Sequence, residues 1–116
     1  MAVRTKRVYE EPATDDGFRV LTDRLWPRGL TKEKAHVDLW LKDLGPSDGL
    51  RKWFGHDPEK WDEFRRRYFE ELNSRQELAV IMEKAKKGTV TLLFGSKEEK
   101  FNNATALKEY LEHDGG

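Results

Sequence analysis

The chain has 116 residues, the usual length of one domain. Its four Trp, three Tyr and six Phe residues suffice for one hydrophobic core. We therefore expect a single domain over residues 1–116 with an ordered core of about 6–112. The absence of cysteine excludes a disulfide framework and a thiolate zinc site, and no segment approaches the roughly 18 apolar residues of a membrane span, which predicts a cytoplasmic protein with no membrane partner. Because 22 basic residues balance 22 acidic ones, we expect no general affinity for nucleic acid, and any ligand site must be local.

Two strands are predicted in the first part of the chain. Residues 6–10 form a short strand that ends at a turn-rich run containing Pro12 and Gly17. Residues 18–25 form a second, central strand, because apolar and polar side chains occupy both of its faces. A tight loop follows, since Pro27 lacks a backbone donor and disfavours helical backbone before it.

A third extended segment and three helices are predicted next. From His36 the pattern alternates, with Val37, Leu39 and Leu41 on one face, which indicates a strand. Each helix has its own start signal in the sequence: Ser47 as a cap, Asp57 followed by Pro58, and Ser74 with Glu77 as a capping box.

The last part of the chain predicts a buried strand and a helix. Residues 89–94 are an apolar, β-rich run between glycines, which is typical of a central strand. Asn102 or Asn103 can cap the final helix. Strands separated by long crossovers indicate an α/β fold, a small mostly parallel sheet flanked by helices in three layers.

The polar residues of two loops predict an anion-binding site. In parallel sheets, ligands bind at the carboxyl ends of strands, and here the loops after the second strand and after residues 89–94 are rich in polar groups. Guanidinium groups and a helix N-terminus suit a phosphate or another small anion. The predicted ligand-binding residues are Arg24, Trp26, Arg28, Lys42, Lys97 and Asn102.

A structural interpretation of the same residues stays open. Arg24 and Arg28 can pair with Asp23 and Asp43 and simply hold the loop, while Lys97 can be a solvated charge. Trp26 can be a core aromatic residue.

Two residues are candidates for acid-base catalysis. Asp23 is a possible acid or base at the strand end, and His56, beside Asp57, is a possible general base. The alternative role for His56 is a surface or capping one. His36, His56 and His113 show no metal-ligand spacing, so we predict no metal site and no cofactor.

Four sequence segments carry a family resemblance: DRLWPRG, WLKDLGPS, LRKWFGH and TLLFGSKEEKFNNATALKEYL. With them, residues 6–111 resemble the YeaO-like branch of the domain of unknown function family 488 (DUF488). The resemblance implies a small cytoplasmic α/β domain and no particular reaction. Other branches carry a Cys-His-Arg element at the start of the last helix, where this chain has Phe101, Asn102 and Asn103, which favours binding over nucleophilic chemistry there.

Three functions follow as hypotheses. The first is binding of, or enzyme-like action on, a phosphorylated or nucleotide-like anion. The second is a helix-turn-helix regulator that places Arg75 and Gln76 near the start of its reading helix, although zero net charge argues against it. The third is a homodimeric interaction module that uses exposed tryptophans among Trp40, Trp53 and Trp61.

Overall fold

A computed structural model describes residues 2–114 of the chain. Within this range, parallel strands form one sheet in the order β1-β4-β2-β3. The strands are β1 (Ala2–Arg7), β2 (Phe18–Leu21), β3 (Leu39–Trp40) and β4 (Thr89–Phe94). The helices are α1 (Lys32–Ala35), α2 (Asp48–Phe54), α3 (Trp61–Leu72), α4 (Leu78–Lys87) and α5 (Asn103–Asp114). None of the helices in this range is both long and apolar enough to cross a membrane.

Strand β4 lies in the middle of the sheet, and its residues from Val90 to Phe94 are buried on both faces. It pairs along its whole length with β1, and it pairs with β2 from Val90 to Leu93. Val90, Leu92 and Phe94 join the larger hydrophobic core, whereas Leu93 belongs to a smaller core on the opposite face of the sheet. The predicted central strand over residues 89–94 is therefore confirmed.

Helices cover both faces of the sheet. Helices α2 to α5 cover one face with buried residues that include Phe54, Phe64, Ile81 and Leu107. The short helix α1, which the sequence pattern did not predict, covers the other face with Ala35. The expected fold class, a small parallel sheet between helices in three layers, is confirmed.

Three predicted strand boundaries are wrong. Strand β1 covers Ala2–Arg7 rather than residues 6–10, since a turn in which Glu10 N donates to Arg7 O follows it directly. Strand β2 ends at Leu21 instead of residue 25. The alternation from His36 does not make a long strand, because His36 caps α1 in the left-handed region, with φ of 50°, and β3 is only Leu39–Trp40.

The predicted helix caps are correct except for one. Ser47 Oγ accepts a hydrogen bond from Leu50 N, Asp57 Oδ1 accepts one from Glu59 N, and Asn102 Oδ1 accepts one from Thr105 N. The capping box at Ser74 is wrong. Its hydroxyl donates to the carbonyl oxygen of Glu71, and α4 begins after Glu77 without a side-chain cap.

Candidate functional site

The loops after β2 and β4 meet at Asp23 and Gly95. The backbone N–H of Gly95 donates to Oδ2 of Asp23 at 2.8 Å. A Cβ atom at position 95 would lie 3.2 Å from the same oxygen, so a larger residue would press on the carboxylate. Glycine at this position therefore lets the end of β4 approach Asp23 closely.

The other carboxylate oxygen of Asp23 is bound by Asn103, the first residue of α5. Its side-chain Nδ2 lies 3.1 Å from Asp23 Oδ1 and 3.1 Å from the carbonyl oxygen of Thr22, and it donates to both. Because Asn102 already caps the helix, Asn103 is able to serve the end of β2 instead. Asp23 thus joins the ends of β2, β4 and α5.

Burial raises the pKa of Asp23 above its ordinary value. The hydrogen bonds from Gly95 and Asn103 act in the opposite direction, as do the charges of His56 and Arg51, but burial prevails. The neutral carboxylic acid is therefore more accessible at Asp23 than at an exposed aspartate.

A cavity of about 170 Å³ opens beside Asp23, at the carboxyl ends of β2 and β4. Its lining combines polar side chains with apolar ones: Asp23, Arg24, Leu25, Pro46, Arg51, Phe54, His56, Phe64, Ser96 and Asn103. Pockets of this kind, apolar with a few converging polar groups, are where proteins usually bind small molecules.

Helix α2 and the turn after it bring Arg51 and His56 to the cavity. Glu71 holds the start of α2, because its carboxylate accepts hydrogen bonds from Ser47 Oγ at 2.6 Å and from Ser47 N at 2.9 Å. At the other end, Gly55 and His56 both adopt left-handed backbone, with φ of 53° and 55°. This turn places Nδ1 of His56 3.1 Å from the carbonyl oxygen of Phe101.

The contact with Phe101 orients the His56 ring. A carbonyl oxygen can only accept a hydrogen bond, so Nδ1 of His56 carries the hydrogen in this contact. The other ring nitrogen, Nε2, takes no part in it. The ring also packs against Phe54, with centroids 5.7 Å apart. His56 is thus held at the cavity wall by one polar and one apolar contact.

The two arginines of the cavity differ in how firmly they are held. Arg24 donates from Nε to the carbonyl oxygen of Pro46 at 2.8 Å. Its Nη1 lies 3.9 Å from Asp43, which is one of the pairings that the structural interpretation of the loop expected. Arg51 is half-exposed, and within residues 2–114 its ion pair is a long contact of 3.5 Å with Asp48. Arg51 is therefore the more available guanidinium.

Trp26 and Lys42, two of the predicted ligand-binding residues, lie outside the cavity. Trp26 packs against the smaller core and donates from Nε1 to Leu30 O at 2.7 Å. Its ring meets Trp40 edge-on, with centroids 5.3 Å apart. The ammonium group of Lys42 lies 5.8 Å from the ring centroid of Trp40, so neither Trp26 nor Lys42 lines the cavity.

The remaining predicted residues are also outside the cavity lining. Arg28 and Lys97 are exposed. The backbone oxygen of Arg28 accepts a hydrogen bond from Tyr9 at 2.8 Å. Asn102 is fully buried as the cap of α5. The structure therefore groups Asp23, Arg24 and His56 from the sequence prediction, and it places Arg28, Lys97 and Asn102 elsewhere.

Sequence reasoning did not single out Arg51, and it considered Asn103 only as a cap. Arg51 follows Asp48 by three residues on a helix, which is the ordinary pattern of a surface ion pair. For Asn103, a usable signal was present: with two adjacent asparagines and one cap position, the second has its amide available for another contact.

Comparisons with known proteins match nearly the whole chain to one family. A family model described as "Inactive DUF488-N3 subclade" matches residues 2–115. The uncharacterized protein Rv3073c of Mycobacterium tuberculosis (strain ATCC 25618 / H37Rv) is 41% identical over 109 residues, which are 94% of this chain and 92% of that protein. The uncharacterized protein YeaO of Escherichia coli (strain K12) is 39% identical over 112 residues, 96% of this chain and 97% of YeaO. No solved structure matches the chain significantly. The resemblance found in the sequence is confirmed, and the chain belongs to the DUF488 family.

Proposed function

We propose that the domain binds a small anionic ligand in the cavity beside Asp23, held by Arg24, Arg51 and His56. The observation that carries the proposal is the composition of the lining, in which two guanidinium groups and an imidazole surround a single carboxyl group. Guanidinium groups bind phosphate and carboxylate oxygens through paired N–H donors.

The carboxyl group of Asp23 is the obvious obstacle to an anion, and two features weaken it. Both of its oxygens accept hydrogen bonds from the protein, from Gly95 and Asn103. Its raised pKa also makes the neutral form more accessible, which reduces repulsion of an approaching anion. Among the side chains that line the cavity, two guanidinium groups thus face one carboxyl group whose oxygens are already bound.

Several observations support binding rather than covalent chemistry. The chain has no cysteine, and the start of α5 offers the amides of Asn102 and Asn103 and the hydroxyl of Thr105, which donates to Asn102 Oδ1 at 3.2 Å. The hydroxyl of Ser96, which also lines the cavity, donates to the carbonyl oxygen of Glu98 at 3.2 Å. The matching family is described as inactive. The catalytic roles of Asp23 and His56 stay predictions; the proposal gives His56 a binding role and makes Asp23 part of the cavity wall.

Arg28 and Lys97 have a different place in the proposal from the one expected of them. Both are exposed and outside the lining, so they act on the ligand only through their charge at longer range. Within the cavity, Arg51 supplies the positive charge that was expected from Arg28 and Lys97.

Isothermal titration calorimetry with inorganic phosphate at constant ionic strength tests the proposal. We expect Arg51→Gln to weaken binding by about tenfold or more, since it removes a charged donor. Lys52→Gln is the matched control, because Lys52 is the next residue on the same helix, is exposed and does not line the cavity. No binding to the wild-type protein, or an equal loss in both variants, would overturn the proposal.

The two other hypotheses have less support. Arg75 and Gln76 precede α4 rather than beginning it, so they are not presented on a helix as a reading pair. Of the tryptophans considered for a dimer, Trp53 and Trp61 pack against the larger core. DNA binding and dimerisation stay predictions, to be tested by a gel shift at low salt and by sedimentation.

A further inference from the structure

The cavity has an apolar half that an inorganic anion would leave unused. Leu25, Pro46, Phe54 and Phe64 all contribute to its lining. Phe54 and Phe64 are almost completely buried, at 3% and 1% exposed, and their rings stack with centroids 4.1 Å apart. These two rings make a fixed apolar inner wall.

Leu25 is the unusual member of this apolar half. It is 64% exposed, the most exposed of the large hydrophobic residues in the described part of the chain. It follows Arg24 directly, so the loop after β2 presents a guanidinium and a leucine to the same cavity. An exposed leucine at the edge of a cavity offers apolar surface that a ligand can cover, with a gain of free energy.

The size of the cavity limits the ligand. Its volume of about 170 Å³ is below the range of roughly 300–1,000 Å³ that is usual for drug-sized ligands. An apolar cavity of about 150 Å³ is enough to hold a benzene molecule. The space therefore fits one ring or a short aliphatic group, with a charged group at the open side.

We infer that the ligand is an amphiphilic small acid, a phosphate or carboxylate head group on an apolar body about the size of one aromatic ring. The inference rests on the function proposed above and specifies its ligand class. The head group binds Arg51 and His56, and the body covers Leu25 beside the inner wall formed by Phe54 and Phe64. This division follows the two kinds of side chain that line the cavity.

Calorimetric titrations at constant ionic strength with phenyl phosphate, inorganic phosphate, benzoate, acetate and phenol test the inference. We expect at least one aromatic acid to bind about tenfold or more tightly than its small counterpart, because part of the ring leaves water. The acid with the larger gain identifies the head group. Phenol, which has no anionic group at neutral pH, is expected to bind more weakly than that acid.

A pair of variants separates apolar contact from charge. Leu25→Ser is expected to weaken binding of the preferred aromatic acid several-fold, and by a larger factor than it weakens binding of inorganic phosphate. Val80→Ser is the control, because Val80 is also an exposed large hydrophobic residue but lies on α4, outside the lining.

The titrations separate failure of the amphiphilic ligand from failure of the anion site. If inorganic phosphate binds and neither aromatic acid binds better than its counterpart, the amphiphilic ligand is wrong and the anion site stands. If phenol binds as tightly as the aromatic acids, the anionic head group contributes nothing and the amphiphilic ligand is wrong. If inorganic phosphate does not bind, the anion site itself is wrong.

Discussion

The side-chain amide of Asn103 donates to the carboxylate of Asp23 at 3.1 Å and to the carbonyl oxygen of Thr22 at the same distance. One amide group therefore ties the first turn of α5 to the end of β2. Since Gly95 at the end of β4 binds the other oxygen of Asp23, these contacts set the position of the cavity wall. Their removal is expected to affect both stability and ligand binding.

Substitution of Asn103 tests this connection. Asn103→Ala is expected to lower the free energy of unfolding by about 1–3 kcal/mol, because two part-buried acceptors lose a donor. Asn103→Asp is expected to cost more at neutral pH than in mild acid, since it places a second carboxylate beside Asp23. Urea denaturation measures both changes, with exposed Gln76→Ala as the control. A loss no larger than that of the control would contradict the role given to Asn103.

Ser47 and Ser74 make a matched pair for the helix caps. Ser47→Ala is expected to cost about 1–2 kcal/mol, because Ser47 caps α2 and also donates to Glu71. Ser74→Ala is expected to change stability by less than about 0.5 kcal/mol, since its hydroxyl makes only an exposed contact with the carbonyl oxygen of Glu71. Chemical denaturation of the two variants distinguishes them, and equal losses would favour the capping box that the sequence suggested.

The buried ion pair between Arg19 and Asp16 is expected to dominate the electrostatic contribution to stability. Arg19 also donates to the carbonyl oxygens of Ala35 and His36, so it joins β2 to α1. Arg19→Met is expected to cost about 3–5 kcal/mol, because it leaves a buried carboxylate with less compensation. Arg66→Met, which breaks exposed pairs on α3, is expected to lower stability far less than Arg19→Met does, because solvent screens those pairs. Similar losses in thermal or urea unfolding would contradict this ranking.

The same cluster predicts how stability depends on acid. Burial opposes the charge of Asp16, but hydrogen bonds from Ala13, Lys6 and Arg19 prevail and hold its pKa below the ordinary value of 3.8. A lowered pKa in the folded state stabilises the protein above the unfolded-state pKa, and this contribution is lost as the pH falls through the folded-state pKa.

Urea midpoints measured from about pH 6 to about pH 2.5 check the dependence. Asp16→Asn is expected to be less stable than the wild-type protein at pH 6, and the two curves are expected to converge below pH 4. Curves that stay parallel over the whole range would show that Asp16 does not titrate with the predicted linkage.

The parts of the fold that were predicted correctly depend on local chemistry. The strand over residues 89–94 is apolar enough to be central in any sheet, and the caps at Ser47, Asp57 and Asn102 use contacts a few residues away. The predictions that were wrong are of strand bounds and of one helix cap, where a residue can form either of two local structures and the rest of the fold decides between them. His36 alternates like a strand residue but ends α1 in the left-handed region.

The site was predictable in the same uneven way. Asp23, Arg24 and His56 could be named from the sequence because the ends of strands and the turns between helices are recognisable there. In the structure all three line one cavity. Arg28 and Lys97 have the right chemistry and the right neighbourhood, but side-chain direction depends on packing that the sequence pattern does not contain. Arg51 comes to the cavity through the packing of α2 on α3, which Ser47 and Glu71 secure across distant parts of the chain.

The central claim is that the cavity beside Asp23 is an anion site. A two-dimensional ¹H–¹⁵N NMR titration with inorganic phosphate at constant ionic strength tests it most directly, because each backbone amide reports separately. We expect the largest saturable shifts at Gly95, Ser96 and Asn103 and along α2 around Arg51. Saturable shifts confined to Arg28 and Lys97, or no saturable shift at any amide, would contradict it.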